Sequence, residues 1–189
     1  MIPLGIIAAA PQATPPGGSF TWSDDFTIGR MEYTTASYLS LGGGKLTLNS
    51  TEGGGLIHPG PVSWVELNVR IEGDTTIYRH WELRALGYIA RFSNSNGTDM
   101  QGLWRNGVRV DGSTVPAINI AATWLARMRV EAGRVQAAVW PADTAFPGWQ
   151  IDYTDPAPLT GDASFGLSGY GSSTIRRPVF LAPFTATGG

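Results

Sequence analysis

Two glutamates lie on alternating segments where an arginine follows at even spacing. Glu66 precedes Arg70 by four residues, and Glu82 precedes Arg84 by two. Glycoside hydrolysis requires two carboxylates flanking one bond, about 5–9 Å apart. Because each glutamate shares its strand face with an arginine, we expect cross-strand ion pairs on a solvated face rather than a catalytic pair. The sequence therefore predicts a protein that is not an enzyme.

Metal ligands are sparse. The chain has no cysteine, and its two histidines, His58 and His80, are 22 residues apart without a third ligand at a matching spacing. We therefore expect no cofactor and no metal at the histidines. The pair Asp24-Asp25 and the segment Asn94–Asp99 offer oxygen atoms of the kind that calcium binds. The same residue types form ordinary turns, so calcium remains open at this point.

Seven tryptophans are many for a chain of 189 residues. Aromatic faces either fill a core or stack on the apolar C–H faces of sugars. Trp124 shares a strand face with Met128 and Val130, so we predict that it belongs to the core. The tryptophans on less apolar faces or near turns are predicted to be exposed. The candidates for carbohydrate binding are Trp64, Trp104, Trp140 and Arg70.

The elements that carry these residues alternate with a period of two. In Val62–Ile71, apolar residues at 65, 67, 69 and 71 alternate with Trp64, Glu66 and other polar residues. Thr123–Glu131 and Arg134–Trp140 alternate in the same way. Ala132-Gly133 and Asn106-Gly107 are typical of two-residue hairpin turns, because glycine adopts the positive φ that such turns need.

Further strands are expected at Phe20–Ile28, Lys45–Asn49, Tyr78–Leu86, Tyr88–Ser93, Gln150–Tyr153, Ser164–Gly169 and Thr174–Phe184. The glycine triplets Gly42–Gly44 and Gly53–Gly55 are predicted to be tight turns. About a dozen short strands, each with one apolar face, predict an all-β fold. We expect a two-sheet antiparallel β-sandwich of the jelly-roll type.

Composition excludes two classes of partner. Lys and Arg number 13 against 15 Asp and Glu, which gives a net charge of −2. Nucleic-acid binding requires clustered positive charge, and so does attraction to an anionic membrane surface. We therefore expect neither nucleic acid nor membrane as a partner.

The chain begins with an apolar segment and a Pro/Gly linker, which together make residues 1–19 an extended arm. Met1–Ala10 is too short to span a bilayer and lacks the basic start of a signal peptide. The sandwich domain is expected to occupy residues 20–189. Two interpretations of the arm remain open: a frayed terminus or a strand packed under the domain, or an assembly element that docks on a neighbour through Ile2, Leu4, Ile6 and Ile7.

The C-terminal half carries an ordered set of motifs: Trp124–Val135, then Val139–Pro141, then Pro147–Gln150, with Gly166-Leu167 and Val179–Phe184 after them. Together with Asp24–Phe26, Gly44–Leu48 and Val62–Ile71, this arrangement resembles concanavalin A-like (laminin G-like) jelly-roll domains of bacteriophage tail and fibre proteins. The apolar start resembles that of minor tail proteins from phages of actinobacteria. The resemblance covers about Phe20–Phe184.

The resemblance implies a non-enzymatic structural or adhesive protein of the virion tail, made in the host cytoplasm. Its implied partners are other virion proteins and a host cell-wall glycan. We expect a closed homo-oligomer, with a trimer favoured. Members of the family that hydrolyse glycosides carry a Glu-x-Asp-x-x-Glu strand, which this sequence lacks. The alternatives are a capsid decoration protein, an extracellular carbohydrate-binding module and a glycoside hydrolase.

Overall fold

The structure is a computed structural model, and it describes residues 19–27, 32–33, 39–48, 53–57, 62–73, 79–94, 101–111, 115–118, 121–159, 164–171 and 179–189. These residues form strands and connecting turns, with no helix among them. Accordingly, no helix in the described ranges could cross a membrane. The predicted arm, apart from Ser19, lies outside the described residues.

The described strands number fifteen. In chain order they are β1 (Phe20–Asp24), β2 (Glu32–Tyr33), β3 (Leu39–Gly42), β4 (Lys45–Leu48), β5 (Gly53–Ile57), β6 (Trp64–Glu72), β7 (Arg79–Ala85), β8 (Tyr88–Ser93), β9 (Gly102–Arg105), β10 (Val108–Asp111), β11 (Thr123–Glu131), β12 (Arg134–Pro141), β13 (Ile151–Thr154), β14 (Phe165–Gly171) and β15 (Val179–Gly188).

Two antiparallel sheets build the predicted sandwich. The eight-stranded sheet has the order β13-β12-β11-β6-β15-β4-β3, with β1 also paired to β15. The seven-stranded sheet has the order β10-β9-β8-β7-β14-β5-β2. The predicted alternation is confirmed, since the inward rows of β6 and β11 are buried. Trp124 is in the core, as predicted, with 4% of its surface exposed.

The turns of three hairpins share the same backbone conformation. Asn106-Gly107 and Ala132-Gly133 both have φ values of 47° and 81°, which confirms the two predicted turns. Leu86-Gly87, with φ values of 51° and 81°, joins β7 to β8 in the same way. These paired positive φ values belong to the hairpin turn whose twist matches that of the flanking strands.

One glycine triplet was assigned wrongly. Gly53–Gly55 begins strand β5 rather than forming a tight turn. Gly53, Gly54 and Gly55 pair with β14 in an antiparallel ladder, and β2 pairs with the other edge of β5. Backbone partners that are distant in sequence override the local turn preference of glycine here.

Candidate functional site

The structure brings three of the four predicted carbohydrate-binding residues to one surface. Trp64 and Arg70 lie on β6 and Trp140 lies on β12, all on the outer face of the eight-stranded sheet, which is the face turned away from the core. Trp104 lies on the outer face of the seven-stranded sheet, opposite Ile89 of β8. The sandwich therefore separates Trp104 from the other three.

The expected exposure of two tryptophans is wrong. Trp104 is only 8% exposed and Trp140 only 6%. The guanidinium carbon of Arg91 lies 4.2 Å from the centre of the Trp104 ring, and that of Arg109 lies 5.8 Å away. Trp140 is covered by Phe146, whose ring centre is 5.0 Å distant. Both tryptophans do point outward, but neighbouring side chains cover them.

The cover over Trp140 comes from the segment Ala142–Gln150, which we call the aromatic loop. Phe146 is 39% exposed, and Trp149 is half-buried. Between them lie Pro147 and Gly148, and Gly148 has a φ of 90°. Glycine adopts such a positive φ without steric cost. The Phe146 and Trp149 rings meet edge to face, 5.3 Å apart.

The aromatic loop is fixed to the sheet by hydrogen bonds at both ends. The Ala142 amide donates to the Thr123 carbonyl at 2.9 Å, and the Thr144 amide donates to the Pro141 carbonyl at 3.1 Å. At the other end, the Gln150 side chain accepts from the Val139 amide at 2.9 Å and donates to the Val139 carbonyl at 3.0 Å. A loop held in this way presents its rings without a large ordering cost on binding.

Arg127 of β11 supports the rings from the sheet side. Its guanidinium carbon lies 4.9 Å from the Phe146 ring centre and 5.7 Å from that of Trp140. Its Nε donates to Oδ1 of Asn68 at 2.7 Å, which fixes the plane of the guanidinium. Opposite Arg127 in the ladder stands Ala138, which faces outward yet is fully buried. The arginine and the aromatic side chains therefore form one packed surface.

Trp64 lies at the far end of the same face. Trp140 comes six positions after Arg134 on β12, and Arg134 is level with Glu131 and hence with Trp64, so the two tryptophans stand about 20 Å apart along the strand direction. Arg129 lies over the Trp64 ring at 5.6 Å. Its Nη1 is 3.8 Å from Glu66, and its Nη2 is 2.7 Å from Glu131. This end is an ion-pair network beside a single half-buried ring.

The two glutamates that could have formed a catalytic pair do not converge. Glu66 is on the outer face of the eight-stranded sheet, and Glu82 is on the outer face of the seven-stranded sheet, so the core lies between them. The predicted cross-strand ion pairs are confirmed: Glu82 pairs with Arg91 at 2.7 Å, and Glu66 lies 3.8 Å from Arg127 and from Arg129. Glu82 also pairs with Arg84 of its own strand at 2.8 Å. Glu82 is not solvated as expected, since only 2% of it is exposed.

Four side chains surround the Glu82 carboxylate. Arg91 donates from Nε at 2.9 Å, Arg84 donates from Nη2 at 2.8 Å, Ser168 donates its hydroxyl, and Nε2 of His80 lies 3.3 Å away. Burial by itself would raise the pKa of the Glu82 carboxyl. The hydrogen bond with His80, the charges of Arg84 and His80, and the Ser168 hydroxyl outweigh burial and hold this pKa well below its usual range. A carboxyl that stays ionised in this way is unsuited to act as a general acid.

The described ranges contain no group of three or more histidine, aspartate or glutamate side chains that could hold a metal ion. Asp24 is buried, and its Oδ1 accepts the Phe26 amide at 2.7 Å, as a turn-forming aspartate does. His58 lies outside the described residues, and so does the segment Asn94–Asp99 apart from Asn94. The calcium ligands considered from the sequence therefore do not assemble in the part of the chain that the structure describes.

Sequence reasoning missed Phe146 and Trp149. They do not alternate with polar residues along a strand, so the periodicity that predicts strands did not identify them as surface aromatic residues. The signal in the sequence was the Pro147-Gly148 dipeptide, typical of turns and loops, with an aromatic residue on each side.

No protein-family model matches the chain, and the search of curated protein sequences gave no match. Solved structures do match. The exoplasmic/lumenal domain of VIP36, bound to Ca2+ and Man3GlcNAc, has a TM-score of 0.60 at 12% identity, over 89% of this chain and 82% of that one. Winged bean acidic lectin complexed with methyl-α-D-galactose has a TM-score of 0.61 at 10% identity, over 90% and 98%.

The lectin from Bauhinia forficata in complex with GalNAc gives a TM-score of 0.61 at 11% identity, over 91% of this chain and 99% of that one. At such identities the likeness concerns the fold and not the binding residues. The sheet order, the buried inward rows and these similarities agree, and the chain has the concanavalin A-like β-sandwich fold.

Proposed function

We propose that this protein is a non-enzymatic, lectin-like domain that binds carbohydrate on the outer face of its eight-stranded sheet. The observation that carries the proposal is the exposed Phe146 ring, which lies against Trp149 and over Trp140 in a loop anchored to the sheet. Exposed aromatic rings fixed in place present the flat apolar surface against which sugar rings stack. Similarity to lectin structures supports the same proposal at the level of the fold.

The proposed contact residues are Phe146, Trp149 and Arg127, with Arg70 beside them and Trp140 as the floor. Trp64 stands about 20 Å from this site, a span that a chain of several sugars could cover. Trp104, on the opposite sheet, belongs to no part of the proposed site. The proposed mechanism is ring stacking plus hydrogen bonds from the arginines, without bond cleavage.

The test is binding of the purified chain to an array of mannosides, galactosides and bacterial cell-wall polysaccharides. We expect Phe146→Ala and Trp149→Ala each to weaken binding of the best glycan about tenfold or more, the usual effect of truncating an aromatic anchor. Val108→Ala is the matched control, because Val108 is 67% exposed and lies on the other sheet. If no glycan binds, or if all three variants bind alike, the proposal fails.

We further propose that the domain belongs to a minor tail protein of a phage particle. The arm of residues 1–19 would dock on a neighbouring virion protein through Ile2, Leu4, Ile6 and Ile7, and the copies would form a closed homo-oligomer. The support is the likeness of the apolar start and the sandwich motifs to such proteins. Deleting Met1–Pro16 should leave the melting temperature unchanged and abolish incorporation into particles; normal incorporation would contradict the proposal.

A further inference from the structure

The acids on the outer face of the eight-stranded sheet are engaged with particular cations. Glu72 pairs with Lys45 at 3.1 Å, Glu131 with Arg129 at 2.7 Å, and Asp152 with Arg134 at 2.6 Å. Glu66 lies between Arg127 and Arg129, 3.8 Å from each. Asp143, at the start of the aromatic loop, is exposed.

Two arginines next to the aromatic loop keep donors unused. Arg127 bonds Asn68 through Nε, and no described residue accepts a hydrogen bond from its Nη1 or Nη2. Arg70 is exposed, and its guanidinium has no ion pair or hydrogen bond with a described side chain. The two residues are diagonal neighbours across β6 and β11, with their Cα atoms about 7–8 Å apart.

Both arginines are therefore within reach of a sugar stacked on Phe146. An arginine has five donors and no acceptor, and its planar fork matches a carboxylate or phosphate in a bidentate way. A neutral hydroxyl would use one such donor, whereas an acidic group would use a pair and gain from charge. The guanidinium carbon of Arg127 lies 4.9 Å from the Phe146 ring centre, so the cation lies against the same ring on which the sugar would stack.

We infer that the glycan bound at the aromatic loop carries an acidic group, which Arg127 and Arg70 hold while the sugar ring stacks on Phe146. The ligand class is an acidic polysaccharide, such as one built from uronic acids. This inference rests on the proposed function, since it assigns the charge of the ligand at the same site.

The test compares polygalacturonate with the same polymer after its carboxyl groups have been reduced to neutral hydroxymethyl groups. Binding of the full chain to each polymer is measured by affinity electrophoresis and titration calorimetry, with alginate and hyaluronate as further acidic probes. We expect at least a tenfold preference for an acidic polymer over its neutral form. Arg70→Gln and Arg127→Gln should each weaken acidic binding about three- to tenfold.

Arg134→Gln is the matched control, because it removes the same charge from the same sheet face at its far end. It should change binding less than twofold. Arg70→Gln guards against misfolding, since Arg70 is exposed and makes no hydrogen bond or ion pair with a described side chain. Equal losses in Arg70→Gln and Arg134→Gln would mean general charge attraction and would overturn the inference.

The remaining outcomes separate this inference from the proposed function. If both polymer forms bind equally and Phe146→Ala abolishes both, the site binds glycans but does not select acidic ones, and only the inference fails. If the chain binds none of the three acidic polymers but does bind neutral glycans on the array, again only the inference fails. If no glycan of either kind binds, both fall together.

Discussion

The carboxylate of Glu82 offers a sharp test of the energetics of this fold. Replacing it by glutamine keeps the shape of the side chain but removes the charge that Arg84 and Arg91 share. The carboxylate is nearly inaccessible, whereas the side chains of Arg84 and Arg91 are 40% and 23% exposed. Water can therefore compensate the two guanidiniums in part after the substitution.

Removing one partner of a buried ion pair costs about 3–5 kcal/mol. Because the two arginines keep some contact with water, we expect Glu82→Gln to lie at the lower end, about 3 kcal/mol. For a domain of this size about 1 kcal/mol shifts the melting temperature by about 2–4 °C, so the expected loss is about 6–12 °C. Glu66→Gln is the matched control: Glu66 also has two arginines nearby, but at 3.8 Å and with 22% of its side chain exposed. Its expected cost is at most about 1 kcal/mol.

The dependence on pH gives a second measurement with a definite sign. The pKa of Glu82 is lowered in the folded state, so its ionised form stabilises the fold at every pH above the ordinary glutamate value of about 4.3. This contribution is lost as the pH falls further towards the lowered pKa. The gap in melting temperature between the wild-type chain and Glu82→Gln should stay constant from pH 7 to about 5 and shrink below about 4.

Circular dichroism melts of the wild-type chain and both variants at pH 7, 5, 4 and 3 supply the measurement. A Glu82→Gln variant that melts within 2 °C of the wild type would refute the reasoning, because removing a buried charge that two arginines share should cost about 3 kcal/mol. A gap that widens on acidification would refute it too, since it would mean that the carboxyl is protonated in the native state.

Other substitutions test the backbone, the core and a second ion pair. Gly133→Ala should destabilise the domain more than Gly107→Ala in a denaturant titration, because both glycines have φ of 81° but a Cβ at Gly133 would lie 2.4 Å from a proline side chain; equal costs would mean that the clash is relieved freely. Trp124→Ala should cost about 3–5 kcal/mol in the same titration, and buried Trp104 should also cost well over 1 kcal/mol when truncated, so a silent Trp104→Ala would contradict its packing. Asp155, which accepts a tyrosine hydroxyl at 2.6 Å, has a lowered pKa, so the lower melting temperature of Asp155→Asn should converge on that of the wild type below about pH 4; a constant gap would argue against the shift.

The alternation of apolar and polar residues predicted the strands and their inward-facing rows, because a half-buried strand needs apolar residues at every second position. It could not give the sheet to which each strand belongs. The consecutive strands β6 and β7 lie in different sheets, which is why Glu66 and Glu82 end on opposite faces of the sandwich. That placement follows from pairing between distant segments, such as β6 with β11 and β7 with β14.

The alternation of apolar and polar residues also could not predict how far the outward-facing side chains are buried. Alternation predicts correctly that Trp104 points outward, but its exposure depends on Arg91 and Arg109 from the neighbouring strands. In the same way, Trp140 is covered by Phe146, a residue of a loop rather than of a strand. Long side chains reach across one or two strands, so a residue's own strand does not determine how much water it meets.

The bonds between Gln150 and Val139 bear on how copies of this protein can meet. Val139 lies past the point where β12 pairs with β13, so its amide and carbonyl would otherwise be unpaired at the edge of the sheet. Unpaired backbone groups at a sheet edge can pair with a strand of another molecule. The Gln150 carboxamide bonds both groups, so they are not available to pair with a second chain. At high concentration, copies of the protein should therefore not aggregate by edge-to-edge strand pairing at Val139.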